Sequence, residues 1–459
     1  MSDLAQKLQQ TLDYLYSFVD YSLTRQLRYS PEKFNLDRMR ELMKLMGDPH
    51  LCFPVVHVAG TKGKGSTAAM ITSILRCAGY KTGFYTSPHL QDFTERIQVD
   101  GESISNARLI ELVEEIKPLI AQVPEITTFE ITTALAFKEF CDKQVDVGVI
   151  EVGLGGRLDA TNVVDPLVSV ITSLSLDHMN VLGDSITQIA AEKGGIIKHQ
   201  KPVVLAPQWQ EARKVIEQIS RDRQAPLTVI GRDYFYGEHS RSLDGQTFFL
   251  WSREEQELVN EYITSGGRTD WEPDHFSIPL LGMHQVENAA TAYATIQILR
   301  EQGFTIGREA ISNGFSKVNW PGRFEILKRN PLIIIDSAHN VDSALRLRLA
   351  MDDYLNGKPI ILLFGSSEDK DVRGIFTHLL PRVKVLVATR STHPRAMEPQ
   401  LLVELANQFG KHAVETLSVE QGLSEAIKLA GRDSAIMVTG SIFVAAAVRD
   451  LVLNQTPYN

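Results

Sequence analysis

Short apolar runs alternate along this chain with helix-length amphipathic segments, the pattern of βαβ units around a parallel sheet. Val55-Val56-His57-Val58-Ala59 reads as a buried strand that ends in a glycine-rich turn. A helix is predicted from about 65 to 78, with Gly79 placed to stop it. Further strands are expected at 82–86, 145–152, 167–172 and 202–205, and helices at 106–122, 130–141, 187–197 and 209–220. Between about 230 and 280 the pattern changes: Phe235-Tyr236 and the run from Thr247 to Trp251 flank an Asp244-Gly245 turn, the mark of a hairpin. Asn319-Trp320-Pro321-Gly322 interrupts the alternation and reads as a linker. Beyond it, strands are predicted at 332–336, 360–364, 383–388 and 435–439. The expected architecture is α/β in two domains, a large one over 1–319 and a smaller one over 320–459, with a ligand cleft between them.

Composition narrows the function. Hydrophobic residues make up 43% of the 459 and charged residues 22%, enough for a large core. Lys and Arg number 47 against 56 for Asp and Glu, a net charge of -9. That acidity argues against nucleic acid as a partner, yet leaves room for a local cationic pocket that takes a small anion. Cys52, Cys77 and Cys141 lie in apolar stretches without CxxC spacing and read as reduced core thiols in a reducing compartment. The first residues carry no signal-peptide block, and the most apolar stretch, 435–453, is interrupted by Thr439, Ser441, Arg449 and Asp450. A soluble, cytoplasmic monomer acting on small molecules is the expectation.

The sharpest motif is Gly60-Thr61-Lys62-Gly63-Lys64-Gly65-Ser66-Thr67, between a strand and a helix. Backbone N–H groups of such a loop curl around phosphate oxygens, and glycine lets the backbone come close. Lys64 would lie against the β- and γ-phosphates, with Ser66 or Thr67 available to Mg²⁺. The match to the usual phosphate loop is imperfect, because position 58 is Val and Gly65 separates the lysine from the hydroxyl. The plain alternative is a glycine turn with solvent-facing lysines. Gly153-Leu154-Gly155-Gly156 also follows a strand, but Leu158 breaks the dinucleotide fingerprint.

Charged residues at strand ends extend the picture. Glu151 closes the apolar run from Val147, and a buried carboxylate there must be paired, hydrogen-bonded or metal-bound. Asp177-His178 follows the next strand. His178 is either a ligand of a metal site that also accepts Mn²⁺ or a helix-capping or core histidine, and the residues alone do not decide. Lys193, beside Gly194-Gly195, reads by itself as a surface lysine. Asp336 ends a second apolar run and could accept from ribose hydroxyls, Asn340 is a good helix cap, and Arg323 sits just past the linker.

These residues together resemble the folylpolyglutamate synthase and dihydrofolate synthase family, a branch of the Mur-type ATP-dependent amide ligases. HVAGTKGKGST, YTSPHL with ERI, EVGLGGRLDATN, LDH, EKGGIIK, HQVENAA, WPGRFE, IDSAHN and VTGS occur in order over nearly the whole chain. The resemblance implies a two-domain Mur-ligase-like fold and ligation of L-glutamate to a folate or to dihydropteroate. It implies that Gly63, Lys64, Gly65, Ser66, Asn288, Arg323 and Asp336 contact ATP, and that Ser87, Glu151 and His178 hold Mg²⁺ at what are expected to be two sites. It implies a carbamylated Lys193 beside the metals. Thr127, Thr128, Phe129 and Glu130, with Leu158, Asp159 and Ala160, align with substrate contacts on the pterin side, and His339 belongs to a motif near the site. Lys64, Lys193, His178 and Arg323 are the expected catalytic groups. Residues 252–275 resemble a variable insertion.

Three other readings compete. A Mur-type ligase for a cell-wall nucleotide would need an N-terminal domain, and only about 50 residues precede the loop. A phosphate-loop switch without ligase activity and a nicotinamide dehydrogenase built on Gly153–Gly156 are the others.

Overall fold

A computed structural model of the chain describes residues 3–19 and 35–454. Eight strands form the largest sheet: β1 (Val55–Ala59), β2 (Thr82–Tyr85), β3 (Ile97–Val99), β4 (Glu102–Ser103), β5 (Val147–Glu151), β6 (Val168–Ile171), β7 (Val203–Leu205) and β8 (Leu227–Val229). Their order is β4-β3-β2-β5-β1-β6-β7-β8. β1 runs parallel to β5 and β6, with His57 opposite Ile150 and Ser169. Every residue of β1 and β5 is buried, as expected of central strands covered on both faces. The antiparallel edge, β3 and β4, is short and partly exposed.

β9 (Tyr234–Ser242) and β10 (Gly245–Ser252) form the expected hairpin, and β11 (Asp274–Ile278) pairs with β10 in a three-stranded sheet. A six-stranded sheet comprises β12 (Glu325–Arg329), β13 (Leu332–Ile335), β14 (Ile360–Phe364), β15 (Val383–Ala388), β16 (Ala413–Glu415) and β17 (Ala435–Thr439), in the order β12-β13-β17-β14-β15-β16. Only β12 is antiparallel there. Among the described residues no helix is long and apolar enough to cross a membrane.

The chain packs as two compact units. The first comprises residues up to His239, Thr247–Ser277 and Val286–Val318; the second comprises Ser240–Gln246, Ile278–Gln285 and the chain from Asn319. The second is thus not one continuous stretch of sequence. The hairpin tip joins it because the buried Gln246 amide donates to the Leu280 and Gly282 carbonyls, while the Tyr354 hydroxyl donates to Gln246 Oε1. In the first unit Phe137 and Phe140 are completely buried, and in the second Phe364 and Phe376 are. Each such side chain contributes about 1.5–3 kcal/mol of transfer free energy.

The helices start and stop where local chemistry dictates. Thr128–Asp142 begins earlier than its apolar periodicity suggests because Thr127 and Glu130 form a capping box. Ile186–Gly194 stops at the glycine pair instead of running to 197. Asp37–Leu45, which the sequence pattern did not mark, packs Met39, Leu42 and Met43 into the first core.

The cysteine expectation is overturned. Cys52 and Cys141 form a disulfide across a sequence separation of 89, and only Cys77 is a free thiol. Cys52 lies exposed just past the Pro49–Leu51 turn, and Cys141 is near the end of the Thr128–Asp142 helix. Phe53 packs on Phe137 and Phe140, which holds the two segments within reach of each other. The inference of a reducing compartment from reduced core thiols therefore loses its basis.

Candidate active site

The 60–67 loop leaves the carboxyl end of β1 and opens the Lys64–Cys77 helix. Its first half is fixed by the segment after β6: the Thr61 and Lys62 N–H groups both donate to the Ser173 carbonyl, at 2.9 and 3.0 Å. Gly63 caps the helix at φ 85°, a backbone state that L side chains disfavour. A Cβ at Gly63 would lie 2.2 Å from Asn288 Oδ1, so the expected nucleotide contact Asn288 packs directly on the loop. Gly60 is as constrained, since a Cβ there would meet Thr172 Oγ1 at 1.8 Å. Ser66 is buried, and the buried Thr67 hydroxyl has no hydrogen-bond partner among the described residues.

Lys193 is not a surface lysine. It is 4% exposed, and its Nζ donates to the Gly60 carbonyl at 2.8 Å. Burial, helped by the cation of Lys64 and opposed by Asp177 and Asp159, lowers its pKa to about 7. Gly194 and Gly195 make the burial feasible: a Cβ on the first would strike Ile219, and on the second the Arg157 backbone. Lys62 pairs with Asp177 at 3.0 Å.

Glu151, 4% exposed, ends β5 beside β1. The Thr86 hydroxyl and the Ser87 N–H both donate to its Oε2, so the Ser87 segment and Glu151 are brought together. A carboxylate at a strand end suits a hard cation of the Mg²⁺ type, which fills its remaining positions with hydroxyl, water or phosphate oxygens. His178 stands on left-handed backbone at φ 50°, its side chain half exposed, and its N–H donates to its neighbour Asp177. Among the described residues no group of three or more His, Cys, Asp or Glu is gathered around a possible metal ion.

The residues expected on the pterin side are largely engaged within the fold. Glu130 accepts from the Thr127 N–H and hydroxyl, both at 2.8 Å, and pairs with Arg38 at 3.2 Å. The Thr128 hydroxyl donates to the Leu15 carbonyl. Phe129 is half-buried and lies over Gly153, where a Cβ would come within 2.4 Å of its ring. Asp159 is buried and accepts from the Leu154 and Thr161 N–H groups and the Thr161 hydroxyl; Leu158 beside it is half-buried and Ala160 buried. Desolvation raises the Asp159 pKa against those hydrogen bonds.

One member of this group was not singled out in the sequence. His57, in the middle of β1, shares a 2.8 Å hydrogen bond between Nε2 and Thr161 Oγ1. Complete burial and the cation of Lys198 lower its pKa to about 3, so it is neutral. A histidine inside an otherwise apolar five-residue strand was the available signal.

In the second unit, Asp336 ends β13 and accepts from the Phe324 and Ala338 N–H groups at 2.9 and 2.8 Å. Burial raises its pKa, while Arg323 acts to lower it. Arg323 also helps depress His284, which burial drives to about 3. His339 Nδ1 lies 2.9 Å from the Ser337 carbonyl, and Asn340 caps the Val341–Tyr354 helix, as its residue type suggested.

A glycine loop between a central parallel strand and its helix, followed by a second α/β unit, is the arrangement of the Mur ligases. Residues 58–296 match the Mur ligase middle domain, and 322–442 the Mur ligase, glutamate ligase domain. The chain is 33% identical over 424 residues to the dihydrofolate synthase/folylpolyglutamate synthase of Bacillus subtilis, covering 91% of this chain and 94% of that one. The solved Mycobacterium tuberculosis folylpolyglutamate synthase complexed with ADP matches with a TM-score of 0.86 at 30% identity, over 99% of this chain and 100% of that one. Identity is 36% over 429 residues to the probable bifunctional folylpolyglutamate synthase/dihydropteroate synthase of Haloferax volcanii, covering 92% of this chain and 49% of that protein. The chain thus spans about half the length of that relative. It belongs to the dihydrofolate synthase/folylpolyglutamate synthase family.

Proposed function

We propose that this chain is an ATP-dependent ligase that joins L-glutamate to the carboxylate of a folate, and also to that of dihydropteroate, through an acyl phosphate. The observation that carries the reading is the 60–67 loop, held open against Ser173 and Asn288 with Lys193 behind it, in a chain of this family. Its backbone N–H groups and Lys64 would receive the ATP phosphates. A substrate carboxylate oxygen attacks the γ-phosphorus and ADP leaves with the bond pair. The neutral α-amine of glutamate then attacks the acyl carbon, the C–O bond to phosphate breaks, and the amine gives up a proton. Lys64 and Arg323 would offset charge on the transferring group, and water must be kept from the acyl phosphate. Asn288 and Asp336 are assigned to the nucleotide with them.

Ser87, Glu151 and His178 are the residues assigned to Mg²⁺, which when bound supplies Lewis-acid neutralisation of phosphoryl oxygens. Lys193, with its pKa near 7, keeps enough free amine at neutral pH to add CO₂ and release a proton, giving a carbamate. Phe129, Leu158, Ala160 and the backbone around Thr127 and Asp159 are assigned to the pterin side. Thr128 and Glu130 would act by holding that segment, and His339 lies in the same motif as Asp336. Monomeric action in the cytoplasm belongs to the same proposal.

The test supplies ATP, Mg²⁺ and glutamate with dihydropteroate or tetrahydrofolate in parallel reactions. A product one glutamyl residue heavier in each, matched by ADP, is the expected result. ADP release without any glutamylated product would overturn it.

A further inference from the structure

The first unit contains a cavity of about 420 Å³ into which four cations converge: Arg40, Arg157, Lys198 and Arg223. They come from four separate places in the sequence. Arg40 is in the Asp37–Leu45 helix, Arg157 in the loop after β5, Lys198 in the turn after the Ile186–Gly194 helix, and Arg223 caps the Gln210–Asp222 helix. Two of them have carboxylate partners, Asp37 for Arg40 and Glu192 for Arg157. Lys198 and Arg223 instead donate to backbone carbonyls, those of Asn162 and Ile197, and neither forms an ion pair among the described residues. The wall also includes Asn162, a side chain 6% exposed whose Oδ1 has no hydrogen-bond partner among the described residues.

This concentration of positive charge is neutralised only in part, by Asp37, which also lines the hollow, and by Glu192. Burial, then the cations of Arg223 and Arg40, lower the Lys198 pKa to about 8 against the single opposing pull of Asp165. An anion in the cavity would reverse that repulsion. In a chain with a net charge of -9, four cations around one hollow are a local exception to the overall balance.

The cavity is separate from the phosphate loop. β1, β6, β7 and β8 run parallel, and the loop leaves the carboxyl end of β1. Lys198 and Arg223 precede β7 and β8, at the amino ends of those strands, whereas Arg157 and Leu158 follow the carboxyl end of β5 and line the hollow from that side, Leu158 being one of the residues assigned to the pterin side. No residue of the 60–67 loop lines the hollow.

We infer that this cavity is a second anion site, one that binds a small molecule carrying carboxylate or phosphate groups. Guanidinium groups recognise both anions by paired N–H donors, and the volume suits a molecule of a few residues or a single phosphate with its water. The inference does not depend on the ligase reading. Under that reading, though, the chain would release one example of each source: inorganic phosphate and a glutamate chain with several carboxylates.

The experiment uses the full chain saturated with ADP, so that the phosphate loop is occupied. Inorganic phosphate and γ-glutamylglutamate are titrated separately by calorimetry, against wild type, Arg40→Gln and Lys198→Met. Binding of either probe, weakened at least tenfold by both substitutions while ADP and dihydropteroate affinities stay unchanged, is expected; the probe that binds identifies the source. A second readout is the acylation rate of Lys198 at pH 8, followed by peptide mass mapping, which should fall severalfold when the probe is present. Failure of both probes to bind, equal binding by the variants, or an unprotected Lys198 would overturn the site. A parallel loss of dihydropteroate affinity would overturn it too, because the hollow would then be part of the pterin side.

Discussion

Lys193 Nζ donates to the carbonyl oxygen of Gly60 across 133 residues of sequence, at 2.8 Å. That hydrogen bond ties a buried amine to the first residue of the phosphate loop.

The pKa of Lys193 falls from 10.5 to about 7 on folding, so between those values the unfolded chain holds a proton that the native chain lacks. Stability therefore rises with pH from about 7 towards 10.5, by about 1.4 kcal/mol per pH unit for one proton. Below about pH 7 the native state carries the full burden of a buried ammonium. In CO₂-free buffer the urea midpoint of wild type should climb more steeply from pH 7 to 9 than that of Lys193→Met. Lys198, lowered to about 8, contributes a slope common to both proteins. Parallel profiles would count against the assignment.

Gly63→Ala should abolish tight ADP binding without unfolding the protein. The substitution puts a methyl group where Asn288 Oδ1 stands and holds an L residue at φ 85°. Adding Asn288→Ala relieves the clash but leaves the backbone strain and removes a residue assigned to the nucleotide, so calorimetry on the double variant should find at most part of the affinity restored.

Arg323→Ala should slow turnover by about 10²–10³-fold while folate affinity changes little, the behaviour of a group that acts on developing charge. Its influence on buried Asp336 gives a further expectation: without the guanidinium the Asp336 pKa moves higher still. An unchanged kcat would remove Arg323 from the chemistry.

Thr161→Val should cost roughly 1–3 kcal/mol, because His57 Nε2 and Asp159 Oδ1 each lose a buried partner. Thr161→Ser keeps the hydroxyl and should restore most of the loss. If Asp159 orients the pterin-side loop, KM for dihydropteroate rises in the valine variant more than kcat falls. Equal chemical denaturation curves for the valine variant and wild type would refute the structural part.

The legible parts of this chain were those whose cause is local. β1, β5 and β14 could be read because central parallel strands are unbroken apolar runs, and the hairpin because Asp244-Gly245 suits its turn. The edge strands β3, β4 and β16 are two or three residues long and partly exposed, which leaves no periodicity to detect. The glycine loop announced itself, and so did the acid at the end of β5. Lys193 did not: its amine is tied to Gly60, and the glycines after it pack on Ile219 and Arg157, none of them near it in sequence. The same holds for the Cys52–Cys141 pairing, which depends on how Phe53 meets Phe137 and Phe140. The metal role assigned to His178 rests on the resemblance alone, and its half-exposed setting would not have suggested one.

The Cys52–Cys141 bond also makes a covalent ring of the chain between those two positions. Inside it lie the whole 60–67 loop, Ser87 and the Thr127–Glu130 cap. A protease that cuts anywhere within this ring leaves both fragments attached, so nicked protein migrates as one band until a reductant is added. Resistance to separation after digestion is therefore a property of this segment's bonding, not of its folding.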